Sequence, residues 1–206
     1  MTMMTLYYGP TSPFARKVRI AVAERGLGNL VREVAVTVRT PKNLVLGVNP
    51  TGKVPCLVVE DGPEKGLVFL ESSLICEYLD SHGEAPPLLP PSGPERWRER
   101  AFDAYAHALL DSIAWRTREF RKPDEYQYGP FIEYEAERIE RCLNDLEGQA
   151  DMLTGAPLSL GRILLACALD YMLLRFPDWE WRQTYQGLSD WHAAMVQRPS
   201  FQATSF

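Results

Sequence analysis

Thr5-Leu6-Tyr7-Tyr8-Gly9-Pro10-Thr11-Ser12-Pro13-Phe14-Ala15-Arg16 begins as a strand-like run, breaks at Gly9-Pro10 and enters a helix at Pro13. Serine is a favoured N-cap, and proline suits the first helical turn because its missing N–H would have no partner there anyway. Helical spacing continues to Arg25, with Val18, Ala21 and Val22 on one face, and Gly26 stops it. Val31 to Val38 alternates valine with other residues and reads as a second strand. Lys42 to Gly47 reads as a short irregular helix. Cys56 to Val59 is a strand, Asp61-Gly62 begins a turn, and Leu67 to Leu70 is the hairpin partner. Ser72 to Leu79 has helical spacing that turns Leu74, Ile75, Tyr78 and Leu79 inward. This order, βαβ followed by αββα, predicts a small α/β sheet domain over residues 1–82.

Residues 83–94 hold five prolines and two glycines and read as a linker, since proline disrupts both helix and sheet ladders. Residues 95–206 change character. Helical segments are expected at about 95–121, 131–151, 159–176 and 187–197, with no convincing strand, so this second domain reads as all-helical.

The chain has 206 residues, 46% of them apolar and 24% charged, which suits a globular protein with a sizeable core. Its net charge of −5 argues against a protein dedicated to nucleic acid, because phosphate binding needs a basic surface. The longest apolar run, Ile163 to Leu174, is interrupted by Asp170 and is too short to span a bilayer, so no membrane partner is expected. Met1 to Met4 has no basic region, and Gly9-Pro10 breaks the apolar stretch that follows; the expected compartment is the cytoplasm. Cys56, Cys76, Cys142 and Cys167 form no Cys-x-x-Cys pair and read as four free thiols.

Ser12 has two readings. It caps the first helix, or it serves a ligand at the helix N-terminus, where N–H groups and a partial positive charge gather. A thiol held there would be acidified. The dipole contributes about 0.3–2 kcal/mol. A hydroxyl donating to a thiolate adds about 1.5–3 kcal/mol. Together these are worth roughly one to three pKa units, taking a thiol from near 8.5 to about 6–7. For this the serine need only donate a hydrogen bond. Asn49-Pro50-Thr51-Gly52-Lys53-Val54-Pro55 precedes the third strand. Local sequence favours a trans Val54-Pro55 bond, whereas a cis bond would turn the Val54 backbone outward to pair with a bound peptide. Glu71-Ser72 at the last helix of the domain is either a cap with a nearby acid, or a carboxylate site at Ser72 with an ammonium partner at Glu71.

These three segments, in this order, resemble the glutathione-site segments of the glutathione S-transferase superfamily. Leu160 to Met172 also resembles the buried sixth helix of that family, and Arg198-Pro199-Ser200-Phe201 its C-terminal ending. The resemblance implies an α/β thioredoxin-like N-terminal domain, an all-α C-terminal domain, a homodimer, and glutathione as cosubstrate. It implies that Ser12 hydrogen-bonds the glutathione sulfur and that Val54, before a cis Pro55, pairs with the cysteinyl backbone. Glu71 and Ser72 would hold the γ-glutamyl end, and Lys42 and Lys53 are candidates for the glycyl carboxylate, a solvated surface role being the alternative for both lysines. Whether Tyr7 or Tyr8 assists Ser12 stays open. Serine stands where thiol-type relatives carry a catalytic cysteine, so no mixed disulfide can form at that position. The pattern looks closest to small bacterial members of broad or undefined substrate range.

For the second substrate, His107, Asp111 and Trp115 share one helix face at four-residue spacing. They form either a core or interface stripe or part of an electrophile pocket, to which Phe14 and Tyr105 are further candidates. His107 has no neighbour at ligand spacing, and no metal is expected. Arg162 departs from the family, which carries an aspartate capping box at the sixth helix; arginine can neither accept backbone N–H bonds nor suit the positive helix end. Restoring aspartate there is expected to raise stability. The leading function is glutathione conjugation to a small electrophile, a detoxification chemistry. The alternatives are a glutathione-dependent disulfide or peroxide reductase, and a non-catalytic glutathione-binding or protein-interaction module.

Overall fold

The structure is a computed structural model that describes residues 2–206. The chain divides into two compact units. The first contains the residues up to Glu99 together with Ser200–Phe206, and the second is Arg100–Pro199. Compactness thus assigns the last seven residues to the α/β unit, although they follow the helical block in sequence.

In the first unit, β1 (Met4–Tyr8), α1 (Pro13–Glu24) and β2 (Val31–Ala35) form a βαβ crossover, so β1 and β2 run parallel. A 3-10 turn (Leu44–Gly47) follows, then β3 (Cys56–Val59), β4 (Val68–Phe69) and α2 (Ser72–Asp80). The sheet order is β2-β1-β3-β4, with β3 antiparallel to both β1 and β4. Leu6 lies opposite Leu57 and Met4 opposite Val59, all buried. Burying each such side chain stabilises by about 1.5–3 kcal/mol. Val18, Ala21 and Val22 of α1 and Ile75, Cys76 and Leu79 of α2 are buried too. Leu74 corrects the expected inward face: it is 50% exposed, and Cys76 is buried in its stead. The second strand is shorter than the valine pattern suggested: the Val36 N–H still donates to the Tyr8 carbonyl at 2.8 Å and its side chain packs with Val45 and Cys56, but the strand pairing ends at Ala35.

Arg25, just past α1, forms a buried ion pair with Asp80 at the end of α2, Nε to Oδ1 2.9 Å, with side-chain exposures of 4% and 8%. The Asp80 carboxylate also accepts the backbone N–H groups of Leu88 (2.8 Å) and Leu89 (3.1 Å). Arg25 donates to the carbonyl oxygens of Asp80 and Gly83. At Gly83 a Cβ would lie 2.6 Å from the Arg25 carbonyl oxygen. The proline-rich segment is therefore fixed at its start against the C-terminal ends of both helices. Closer to their N-terminal ends, the fully buried Lys17 of α1 donates to Ser73 Oγ of α2 at 2.9 Å. The C-terminal residues join through Arg16, which donates to the Phe201 carbonyl (3.3 Å) and lies over the rings of Phe201 and Phe206. Ser200 Oγ donates to Glu24.

The helical elements are α3 (Gly93–Glu119), α4 (Gly129–Glu147), α5 (Ala150–Gly155), α6 (Leu160–Arg175), α7 (Trp181–Thr184), α8 (Gln186–Met195) and α9 (Pro199–Gln202). Gly93-Pro94 opens α3 instead of closing the linker, and the helix expected at 131–151 divides near Gly148 into α4 and α5. In the second unit α6 is buried almost throughout, as an apolar helix without a polar face must be. Its Gly161 is a close-approach point: a Cβ would lie 2.7 Å from Phe102 Cδ1 and 2.9 Å from the Asp103 nitrogen. Ser159 caps α6, and Arg162 Nη1 also donates to the cap hydroxyl at 2.9 Å, so the arginine is drawn into the cap it was expected only to weaken. The Glu147 carboxylate accepts the N–H groups of Gly187 and Leu188, both at 2.8 Å, capping α8 from α4.

Gly161→Ala should lower the unfolding free energy by about 1–3 kcal/mol, the cost of overpacking. Gly155→Ala, with open space at its Cβ position, should be neutral or stabilise by up to about 1 kcal/mol. Urea unfolding of both variants checks the contrast. In the same assay Asp80→Ala should cost about 3–5 kcal/mol, because it leaves Arg25 buried without its carboxylate.

Candidate active site

Gly9-Pro10-Thr11-Ser12 turns the chain from β1 into α1, with the Ser12 N–H donating to the Gly9 carbonyl at 2.9 Å. Ser12 has extended backbone angles and caps α1, its Oγ accepting the Ala15 N–H at 3.3 Å. A hydroxyl has one donor and two acceptor sites. Among the described residues no group accepts the Ser12 proton. The residue is therefore a cap and retains a donor at the positive end of a twelve-residue helix.

Val54 reaches the same place. A Cβ on Gly9 would sit 3.4 Å from Val54 Cγ2 and 3.7 Å from Ser12 Cβ, so the glycine lies against both side chains. The Val54-Pro55 bond is cis, as the family resemblance implies and against the local preference. The preceding loop is shaped by two buried asparagines that the sequence reading did not single out as functional. Asn49 accepts from the Thr51 N–H (2.9 Å) and hydroxyl (2.8 Å) and donates to the Lys53 carbonyl (3.0 Å). Asn43 donates to the Gly52 carbonyl (2.9 Å) while its Oδ1 accepts the Val45 N–H. Gly52 has φ +63°, and a Cβ there would meet Leu46 at 3.1 Å, which is why glycine stands in this position. An asparagine followed by Pro-x-Gly was a readable signal for such a loop-shaping side chain.

Glu71, not Ser72, is the N-cap of α2. Its carboxylate accepts the N–H groups of Ser73 (2.9 Å) and Leu74 (3.0 Å) and the buried Ser72 hydroxyl (3.1 Å). The Lys17–Ser73 bond places this cap beside α1. Lys42 and Lys53 are exposed. Tyr7 packs on the Val36–Val45–Cys56 cluster, and Arg19 covers the Tyr8 ring at 4.3 Å. Phe14 is half-buried. Burial pushes the Cys56 thiol up to about 11, and burial is also the main cause that raises Cys142. All four cysteines are free thiols.

The remaining candidates belong to the second unit. Tyr105 donates to Asp145 Oδ2 (2.9 Å) and the Cys142 carbonyl (3.3 Å), which ties α3 to α4; burial, then the bond to Asp145, raises its pKa well above the usual phenol range. His107 lies 3.8 Å from Asp111, and Trp115 is half exposed beneath the Arg118 guanidinium. No group of three or more His, Cys, Asp or Glu side chains among the described residues could hold a metal ion. No helix of the described residues is long and apolar enough to cross a membrane.

Residues 11–82 match the family model for the glutathione S-transferase N-terminal domain. An uncharacterized GST-like protein of Escherichia coli, YibF, is 33% identical over 181 residues, covering 85% of this chain and 86% of that one. FtsZ-localized protein A of Caulobacter vibrioides is 27% identical over 96% of this chain and 88% of its own length. Among solved structures, a glutathione transferase family member from Pseudomonas fluorescens Pf-5 with bound glutathione is 32% identical and superposes with a TM-score of 0.89 over 98% of each chain. With a thioredoxin-like sheet unit, a helical unit and this degree of likeness across the chain, the protein belongs to the glutathione S-transferase superfamily.

Proposed function

We propose that this protein is a glutathione transferase that holds the glutathione sulfur as a thiolate at Ser12 and directs it at a small electrophile. One observation carries the reading: the Ser12 hydroxyl caps α1 with a lone pair and keeps its proton to donate. Donation to the thiolate, added to the helix end, favours the ionised form of the thiol, and the ionised form is the nucleophile. The protein then contributes mainly proximity and orientation. Val54 would pair with the cysteinyl backbone. Glu71 and Ser72 would hold the γ-glutamyl end, and Lys42 and Lys53, both exposed, would attract the glycyl carboxylate. Phe14, at the start of α1, and the α3 face of His107, Asp111 and Trp115 remain the electrophile candidates. Tyr105 offers only its ring, because its hydroxyl is already committed. Free cysteines fit a reducing compartment, and the reading places the protein in the cytoplasm.

A reductase that works through its own thiol is disfavoured, since position 12 has no sulfur and the Cys56 thiol is raised out of the nucleophilic range. A second reading, a protein-interaction module, draws on the relative named for its localisation with FtsZ. Such a module would bind glutathione without conjugating it to a reactive aryl halide.

Ser12→Ala should raise the pKa of bound glutathione by about one to two units, the worth of one hydrogen bond to a charged group. Activity in the wild type should fall as pH drops through about 6–7, and in the variant through a point one to two units higher. Ultraviolet thiolate absorbance and the pH profile of kcat/KM check this. An unchanged profile would reduce Ser12 to a cap. Glu71→Gln removes the charge and one of the two oxygens that cap α2; the glutathione KM should rise about tenfold, and the unfolding free energy should fall by about 0.5–2 kcal/mol.

We also propose a homodimer. The edge strand β4 and its flanks expose Leu67, Val68 and Leu70, and α2 exposes Leu74. Apolar side chains on an unpaired sheet edge suit a second copy. Leu74→Glu should shift the mass measured by light scattering from dimer to monomer.

A further inference from the structure

Lys17 lies in the second turn of α1 and is fully buried, an unusual place for a lysine. Joining two helices does not require it, since an apolar side chain of similar length packs without the cost of desolvating a charge. What an apolar side chain cannot supply is positive charge. The Lys17 ammonium donates to Ser73 Oγ at 2.9 Å, in the first turn of α2. Ser73 in turn donates its N–H to Glu71 Oε1 at 2.9 Å. Through Ser73, the buried charge thus stands close behind the Glu71 carboxylate.

That end of α2 has an electrostatic conflict. A γ-glutamyl group carries both an ammonium and a carboxylate. Glu71 suits the ammonium and opposes the carboxylate. Its oxygens accept the N–H groups of Ser73 and Leu74 and the Ser72 hydroxyl, so its negative charge cancels the positive helix end. An ammonium behind it restores the positive sign, and burial limits the screening of that charge. Glu71 is exposed and Lys17 is not. The acid can therefore touch a ligand, while the lysine acts from within the unit.

We propose that Lys17 is a positioning residue for the γ-glutamyl end of glutathione: its buried charge offsets Glu71 and admits the ligand carboxylate at Ser72. This role rests on the glutathione reading above.

Calorimetric titration of the full chain with three ligands tests this. They are glutathione, glutaryl-cysteinylglycine, which keeps the carboxylate but lacks the ammonium, and 4-aminobutyryl-cysteinylglycine, which keeps the ammonium but lacks the carboxylate. Lys17→Met should weaken the first two about tenfold and leave the third within about twofold. Loosened helix packing would instead weaken all three alike. Ser73→Ala removes one acceptor of the ammonium and leaves the N–H groups of the cap in place. It should weaken the same two ligands about threefold, and it keeps the test decisive should Lys17→Met fail to fold. Equal losses for all three ligands in a folded variant, or no loss for glutathione, would overturn the role of Lys17 and leave the glutathione reading standing. A wild type that binds glutathione no more tightly than cysteinylglycine would overturn both.

Discussion

The buried pair of Arg25 and Asp80 is the constraint on which the candidate site depends. It joins the C-terminal ends of α1 and α2, and the Lys17–Ser73 bond joins them again nearer their beginnings. Two helices clamped in this way present their N-termini at the same end. Ser12 caps one and Glu71 caps the other. The chemistry at each cap is ordinary by itself. Their proximity brings a hydroxyl donor, two sets of helix-end N–H groups and a carboxylate to one end of the unit. A buried ion pair is costly to break but contributes little net stability when intact. Here its consequence is geometric, because it also anchors Leu88 and Leu89 and so holds the proline-rich segment against the ends of both helices.

Capping and catalysis are compatible at Ser12 because a hydroxyl both accepts and donates. A carboxylate could cap α1 as well, but it would repel a thiolate. A cysteine there would offer its own sulfur and open disulfide chemistry. In the proposed reading, serine leaves the reactive sulfur to glutathione. Cys56 lies directly after Pro55, close in sequence to the loop that carries Val54. Burial keeps its thiol protonated, so the sheet unit places no competing nucleophile there.

Local signals gave away much of the sheet unit. Gly9-Pro10 and Ser12-Pro13 mark a strand end and a helix start through backbone geometry that neighbouring residues largely dictate. The same holds for Cys56 to Val59, read with the same bounds that the structure has. Errors fell where tertiary packing decided. Leu74 matches the apolar spacing of α2 but is exposed, since that helix buries a narrower stripe than its composition allows. Gly148 passed as helix interior, yet the chain turns there between α4 and α5. Arg162 looked like a plain loss of a cap, because sequence spacing cannot show that its guanidinium would reach the Ser159 hydroxyl.

Residue order alone thus determined the βαβ–αββα plan, the helical second half and the presence of a serine, and no cysteine, at the start of α1, because these follow from short-range periodicity, capping and residue identity. Only the tertiary structure decided that Gly9 lies against both Ser12 and Val54, that Glu71 is the cap, and that residues 200–206 return to α1; the cis Val54-Pro55 bond runs against the local preference and was legible only through the family resemblance. The approach of Gly9 to Val54 and the return of residues 200–206 depend on groups far apart in the chain meeting at a few ångströms, a distance no local pattern encodes; the Glu71 cap is local, but the sequence offered Ser72 equally well for it.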